Sequence, residues 1–501
     1  MLYSERLPYK NQTILNVALT DFSKGINSYK SESVLPLNYA IKSYNFNFNK
    51  GSLSEGLGLS VLTTPYTSLG RKRIKTFEAP QGVNKIIGAW IFKRYDYIGN
   101  VEAPLMVIYG DDNTYYCTNF KLNTGFSAMS QILIDGQPVG INYRLDNKDC
   151  MIFCSTDAQG VMYTWDSINP MQMHENCPAV VSLALHAGRL FATSTGDKKK
   201  LYFSDDLDPR NWQTSASEGG YIEISDERGS LNKLIEWNNY LYIMRDYGIT
   251  RVSAWGEQED FVVRHLYLST GKIYANSAVH CGSCILMLCK DGLYRFDGVD
   301  TQKVNTGLDK FFEDVDNENA IGAFLDGKYY LACNLNYNDE EVVGCESGEY
   351  KNNTLLEYDI TTGQINILRG VDISMLLTLQ TKEFSKLACC VDTINQQNIL
   401  MQVDHSGSVL GVPTQKLWQS PTTDLGYPNN YKVLNEIYIT SSANAVLKIN
   451  TNNKTYNINI ASSNAPKKYK LNIKCNTFSV ALSSSQSKID IKPPTLKVTI
   501  V

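Results

Sequence analysis

The chain lacks any apolar run approaching the roughly 18 residues that a membrane-crossing helix requires. Its opening stretch, MLYSERLPYKNQTILN, has no apolar block of the kind found in a secretory leader, which predicts a chain without a cleavable signal that folds in the cytosol. Histidine is scarce at five residues, and none lies in H-E-x-x-H or another ligand spacing. There is no G-x-S-x-G elbow, no phosphate-cradling lysine loop and no G-x-G-x-x-G. These absences argue against the common zinc hydrolase, serine hydrolase, nucleotide-triphosphatase and dinucleotide-binding classes. The twelve cysteines show no paired zinc spacing, Cys389 and Cys390 are adjacent, and most others sit inside apolar runs. That pattern reads as buried thiols rather than a disulfide framework.

Charge is nearly balanced overall, at −4, but unevenly spread. Residues 1–95 hold 13 Lys/Arg against 5 Asp/Glu, and residues 411–501 hold 11 against 3. The middle of the chain holds 23 against 43. Two basic ends flank an acidic body. Such a body repels nucleic acid, and basic ends suit an acidic neighbour, including a second copy of the body.

What the sequence has in quantity is one phrase, repeated. An apolar strand, a corner rich in Asp, Asn, Gly or Lys, and a second strand with aromatics begin near Met106, Met151, Arg189, Tyr240, Cys284, Tyr329 and Leu387. "CKDGLYRFDG", Cys289–Gly298, is one example. The corners suit hairpin turns that need positive φ or local side-chain bonds. A hairpin every 38 to 58 residues predicts an all-β chain built on a β-propeller of about seven blades, with six or eight also open because an insertion at 337–353 blurs the count. The apolar strand is expected at the inner part of each blade. A helix is expected over NTGLDKFFEDVDNENA, with Leu308, Phe311, Phe312 and Val315 on one face and Thr306 as its cap.

The flanks differ from this repeat. From Leu447 to Ile500 apolar residues alternate strictly with polar ones, as in Phe478, Val480 and Leu482. Period two over six or seven short segments predicts a C-terminal antiparallel β-sandwich. The expected division is an extended N-terminal arm over 1–62, the propeller over 63–415 and the sandwich over 416–501. The arm has little core of its own in this reading, so removing residues 1–60 is expected to leave a folded monomer that cannot assemble.

Candidates for chemistry are weak. SDDLDPRNW, Ser204–Trp212, resembles the Asp box of sialidases loosely, and that box is itself a structural turn. The carboxylates needed for glycoside hydrolysis are not identifiable from spacing. HCGSC, with His280, Cys281 and Cys284, lacks the second half of a zinc site. DVDNEN, Asp314–Asn319, lacks the glycine and later glutamate of a calcium loop. His186, in an apolar run, reads as a core histidine. Arg71, Lys72, Arg73 and Lys75 form a short basic cluster suited to a charged contact with DNA or an acidic neighbour. No catalytic, cofactor-binding or metal-ligating set emerges, and no cofactor is expected.

A resemblance adds to this reading. Gly25, Ile26, Asn27, Leu35, Pro36, Ala40, Asn45, Gly51, Leu53 and Gly58, in KGIN…LPLNYAIKSYNFNFNKGSLSEGLG, resemble the opening of β-propeller neck and tail proteins of tailed bacteriophages. These include packaged-DNA stabilisation proteins and tail nozzle proteins. GRLFATSTGDKKKLYFSDDLDPRNW, GLYRFDG and SPTTDLGYPNNYK look similar too. The likeness implies a non-enzymatic virion protein, made in the host bacterial cytoplasm. It implies a six- or twelve-fold ring of copies at the head–tail connector, neck or tail. Expected neighbours are other neck, portal or tail proteins and packaged DNA, with no membrane partner. Gly25, Ile26, Asn27, Leu35, Pro36, Asn45, Gly51, Leu53 and Gly58 would then be an assembly arm. The alternatives are a host-attachment protein gripping a glycan at the tail tip or collar, and a glycosidase propeller.

Overall fold

Corners set the architecture. At four hairpins inside the blades both central residues have positive φ: Asp146-Asn147 at 49° and 61°, Ala187-Gly188 at 49° and 81°, Asn238-Asn239 at 50° and 60°, and Asp326-Gly327 at 49° and 78°. Such turns match the right-handed twist of the strands they join, and Asn, Asp and Gly tolerate them best. The computed structural model describes residues 13–501 apart from 20, 29–30, 49, 96–103, 133, 135, 159, 214–217, 338–349 and 396. Most of the expected insertion at 337–353 lies outside the described residues, as do residues 1–12.

Each of these hairpins joins the first two strands of a blade. Six four-stranded antiparallel sheets follow in sequence over 86–131, 138–174, 180–223, 231–268, 273–303 and 321–369, and a seventh begins at Ile373. The protein is therefore a seven-bladed β-propeller. The apolar strands of the repeat are the second strands, such as Arg189–Ser194, Tyr240–Arg245 and Ile285–Cys289, and are buried almost throughout. They lie in the inner half of each blade, one strand out from the channel. A second strand has a paired strand on each side and a neighbouring blade over each face, so both its faces are dry. The innermost strands have a free edge on the channel and a mixed burial pattern, as in Pro138–Leu145 and Ile373–Gln380.

Hydrogen bonds stitch the blades into a ring. The Asn142 amide donates to the Ile91 carbonyl at 2.8 Å, and its oxygen accepts from the Lys93 N–H at 3.0 Å. Ser182 Oγ accepts from the Leu234 N–H at 3.1 Å, and Tyr329 Oη donates to the Ser277 carbonyl at 2.8 Å. Asn398 closes the circle between the last and first blades, bonding both backbone groups of Ile86 at 2.9 and 3.0 Å.

The seventh blade is completed from far away. Its fourth strand is Gly58–Val61, paired antiparallel to Asn398–Asp404 with Gly58 opposite Asp404 and Val61 opposite Met401. Leu57 and Leu59 enter the core between blades six and seven. A Cβ on Gly58 would collide with Ser406 Oγ and stand 2.6 Å from the Ser408 carbonyl, so only glycine lets the strand seat.

The expected N-terminal arm is not an arm over its described residues. Thr13–Ala18 and Leu53–Glu55 pair with Asp490–Ile500, and Lys42–Tyr44 pairs with Lys416–Gln419. They join the predicted C-terminal strands in a two-sheet sandwich. One sheet runs Phe46–Asn47, Leu53–Glu55, Asp490–Ile500, Lys432–Ser441, Ser463–Cys475, and the other Lys42–Tyr44, Lys416–Gln419, Phe478–Ser484, Ala445–Thr451, Thr455–Ile460. Its core holds the alternating residues Leu447, Ile449, Phe478, Val480, Leu482, Leu496 and Val498, together with Leu19, Phe22, Phe46 and Leu53 from the N-terminal segment. Phe22 meets the fully buried Trp418 edge to face at 4.8 Å. The segment lacks a core of its own because it is half of this one.

The expected helix over 306–315 is only the 3-10 turn Asp309–Phe312, and no α-helix occurs among the described residues. Gly307 and Asp314 have φ of 70° and 57°, which stops a right-handed helix on both sides. Thr306 does not cap the turn: Leu308 stands at its N-terminal boundary, Thr306 Oγ1 accepts from the Leu308 N–H at 3.3 Å just outside it, and inside it the Lys310 N–H is met by Ser28 Oγ at 3.3 Å.

Asn45 fastens the sandwich to blade six. Its N–H donates to the Ile367 carbonyl at 2.8 Å, and its side chain bonds the Arg369 N–H, the Arg369 carbonyl and the Gln415 carbonyl. The Arg369 guanidinium lies 5.0 and 4.4 Å from the Tyr44 and Tyr337 rings. Two outcomes follow for urea unfolding followed by fluorescence and circular dichroism. Asn45→Ala should destabilise the protein by about 2–4 kcal/mol, since it leaves buried backbone groups unpaired. Gly58→Val should cost about 2–3 kcal/mol through overpacking. Deleting residues 1–61 should abolish cooperative unfolding, whereas a folded, cooperative truncation would refute the role of the closing strand.

Candidate functional site

Most ionisable groups that the fold buries are answered inside their own blades or at blade seams. Arg245 is completely buried. It pairs with Asp226 at 2.6 Å and donates to the Gly229 carbonyl at 2.6 Å. Arg228 and His265 complete the ring around Asp226 at 3.2 and 3.3 Å. Burial alone would raise the Asp226 carboxyl, but the Arg228 N–H and the Arg245 charge outweigh it and hold the group below its usual range. This cluster staples the loop between blades three and four.

Glu357, 1% exposed, does the same between blades six and seven. It accepts from Asn366 Nδ2 at 2.7 Å and Tyr330 Oη at 2.9 Å, and pairs with Lys328 at 3.0 Å and His405 at 3.4 Å. Burial pushes its carboxyl up. Hydrogen bonds from His405 and Asn366, with the Lys328 charge, win and bring it down to about 2. Asp226 and Glu357 belong to different blades, each surrounded by cations.

The sequence candidates fall into place as structure. His280 lies against Trp237 with ring centroids 5.6 Å apart and bonds the Gly282 carbonyl at 2.8 Å. Burial pushes the Cys281 thiol up to about 12 and the Cys284 thiol upward too, the wrong direction for thiolate ligands. No cluster of three metal-ligating side chains occurs among the described residues. In DVDNEN the amides do the work. Asn317 accepts from the Asn334 N–H at 2.7 Å, while Asn334 accepts from the Asn353 N–H at 2.9 Å and donates to the Asp316 and Lys351 carbonyls. Ser204 is buried, accepts from the Leu190 N–H at 3.0 Å and donates to the Asp205 carbonyl at 2.9 Å, as a structural corner does. His186 is buried against Phe191 and Trp255, and burial lowers its pKa.

The nine residues of the expected assembly arm are likewise internal fittings. Ala40 bonds Gly25 and Asn27, and Ile26 forms a bridge with Ala40. Leu35 and Leu53 are buried, the Pro36 carbonyl accepts from Tyr39, and the Gly51 carbonyl accepts from Phe22. Asn45 and Gly58 hold the joints already described. They are occupied within one chain.

The channel wall is almost uncharged. The seven innermost strands carry only Arg144, Lys233 and Glu236 as charged residues besides histidine. Lys233 donates to the Asn276 and Ala278 carbonyls at 3.1 and 2.8 Å, and burial lowers it to about 8. The acid of the body lies instead in loops.

The basic cluster proves to be a projecting hairpin, Thr63–Ser68 paired with Arg71–Thr76. Arg71, Lys72 and Arg73 face solvent, but Lys75 does not. Its Nζ donates to Thr118 Oγ1 at 2.6 Å and the Asn119 carbonyl at 2.8 Å, above the Phe77 ring at 4.7 Å. Burial lowers its pKa to about 8. Lys75 is the root of the hairpin and not a contact residue. Lys386 Nζ anchors the other strand on Thr63. These roots place the hairpin at the seam of blades seven and one, on the face that carries each blade's first-to-second and third-to-fourth strand loops. A groove beside it is lined by Lys93, Lys121, Lys382, Phe120 and Phe384. The sequence signalled the charge of the hairpin but not the exposed Leu69 and Ile74 that accompany it.

The Glu357 cluster makes a pH-dependent contribution. Its folded pKa, about 2, lies below the ordinary 4.5. The stabilisation is therefore complete above pH 4.5 and lost as the pH falls from 4.5 towards 2, to the extent of about 3 kcal/mol. Glu357→Gln should flatten urea midpoints across that window while lowering them at pH 7. An unchanged slope below pH 4.5 would exclude Glu357 as its source.

No protein-family model matches the chain, and no curated protein matches it. Solved structures do. BamB from Moraxella catarrhalis matches at 10% identity and a TM-score of 0.38, over 72% of this chain and 92% of that one. Raptor from Chaetomium thermophilum matches at 11% identity and 0.42, over 64% of this chain and 29% of that one. BBS1N in complex with ARL6DN matches at 8% identity and 0.41, over 67% and 97%. The chain is similar to these proteins only at the level of its fold.

Proposed function

We propose that the protein is a non-enzymatic virion component of a tailed bacteriophage, forming or decorating a ring at the head–tail connector, neck or tail. The observation that carries this reading is the N-terminal stretch from Gly25 to Gly58, which resembles the opening of phage propeller neck and tail proteins. In this chain those residues are the ones that weave the sandwich and close the propeller. The likeness therefore falls on residues with an architectural task, which supports reading it as kinship of build rather than of composition. The internally paired carboxylates of blades three, four, six and seven support a structural role as well. In this reading the nearly neutral channel wall neither grips nor strongly repels a passing polyanion.

The test is the particle. Mass spectrometry of purified virions should find the chain in a fixed copy number, and antibody labelling should mark the neck or tail. Its absence from particles would overturn the proposal. Labelling confined to the tail tip, with glycan binding, would replace it with the host-attachment reading.

A further inference from the structure

The hairpin at the seam of blades seven and one projects an unusual combination of side chains. Leu69 is 92% exposed and Ile74 73% exposed, and they flank the solvent-facing Arg71, Lys72 and Arg73. These three cations make no ion pair among the described residues. Lys93, Lys121 and Lys382, against the one carboxylate of Glu383, carry the positive surface on into the adjoining groove. The hairpin is held by its roots at Lys75 and Thr63, so its tip is presented rather than loose.

Half a turn around the seven-bladed ring, the same face has the opposite character. The third-to-fourth strand loops of blades three, four and five expose Asp206, Glu257, Glu259, Asp260, Asp297 and Asp300. The same loops expose one apolar residue each, Leu207 at 70%, Trp255 at 56% and Val299 at 71%. Two contacts fix these loops on that face. The Leu207 N–H donates to the Gly188 carbonyl, and Trp255 Nε1 donates to the Asn239 carbonyl at 3.4 Å, both in first-to-second strand hairpins.

We infer that these two surfaces bind each other between copies of the chain, the hairpin of one copy seating on the loops of blades three to five of the next. Basic meets acidic, and aliphatic Leu69 and Ile74 meet Trp255, Leu207 and Val299. Because the two surfaces are different patches at opposite rims of one face, the contact is heterologous, and it propagates into a ring when its rotation closes. The occupant is a second copy and not DNA. Phosphates pair with the cations but leave two exposed aliphatic side chains without an apolar partner. The inference rests on the ring reading under Proposed function and names its surfaces.

The experiment uses the full chain and two charge reversals at exposed positions. One combines Arg71→Glu, Lys72→Glu and Arg73→Glu, and the other combines Glu257→Lys, Glu259→Lys and Asp260→Lys. Circular dichroism and thermal melts should match the unsubstituted protein. Sedimentation velocity and electron microscopy should show each variant alone associating at least about tenfold more weakly. An equimolar mixture of the two should assemble again, since every contact in it joins opposite charges. The inference is overturned if the unsubstituted chain stays monomeric up to high concentration, if either variant assembles normally, or if the mixture does not recover. It is also overturned if the hairpin variant loses only binding to duplex DNA. Recovery on mixing, for a chain missing from phage particles, would uphold the interface and remove the phage reading. Presence in particles with unaffected variants would do the reverse.

Discussion

Everything in this protein depends on one short antiparallel pairing, Gly58–Val61 on Asn398–Asp404. Four residues complete the seventh blade, and apart from the Val409–Leu59 bridge on the strand's other edge no further β-ladder among the described residues closes the ring. The seam bonds of Asn398 to Ile86 add polar contacts across the same gap. The closing strand is itself held from both sides, by Lys42–Tyr44, Asn45 and Leu53–Glu55 in the sandwich and by the rooted hairpin that follows it. The sandwich is thus part of the clasp and more than an appended module. Its two sheets are filled from both ends of the chain.

The balance of forces across the molecule divides cleanly. Apolar second strands and Phe, Tyr and Trp contacts supply the dry interior, while polar groups at seams are paired one by one. Where charge is buried, as at Arg245 and Glu357, it joins neighbouring elements and is matched by several partners. Unmatched charge is kept on loops and on the hairpin. This separation leaves the channel wall nearly neutral and makes the rim polar in the electrical sense, positive on one side and negative on the other.

Much of the fold was legible from local signals. Asn, Asp and Gly at the corners announced hairpins, and Asn147, Asn238 and Asn239 do sit at positive φ. Strict alternation around Phe478, Val480 and Leu482 announced half-buried strands. The closing strand was not legible, because Ser60 and Asp404 are 344 residues apart and four residues carry no periodic signal. The helix at 308–315 was misread because Leu308, Phe311 and Phe312 satisfy one turn of a 3-10 helix as well as an α-helix, and φ at Gly307 and Asp314 decides between them. Of the basic cluster, charge was visible but burial was not, so Lys75 looked like its neighbours. The acidic loops at the opposite rim of the same face needed the ring order before they could be seen as one surface.

The clasp also fixes a schedule for biosynthesis. Gly58–Val61 leaves the ribosome long before Asn398–Asp404, and at about 5–20 residues per second the delay is about 20 to 70 s. Over that interval the closing strand and Thr13–Ala18 are strand edges without a native partner, and six blades wait as an open arc with an uncovered apolar face at each end. Edges of that kind recruit other strands. A protein built this way folds only after the strands that follow blade six arrive, so crowded nascent chains, or a ribosome stalled just beyond blade six, expose the cell to aggregation rather than to a half-working product.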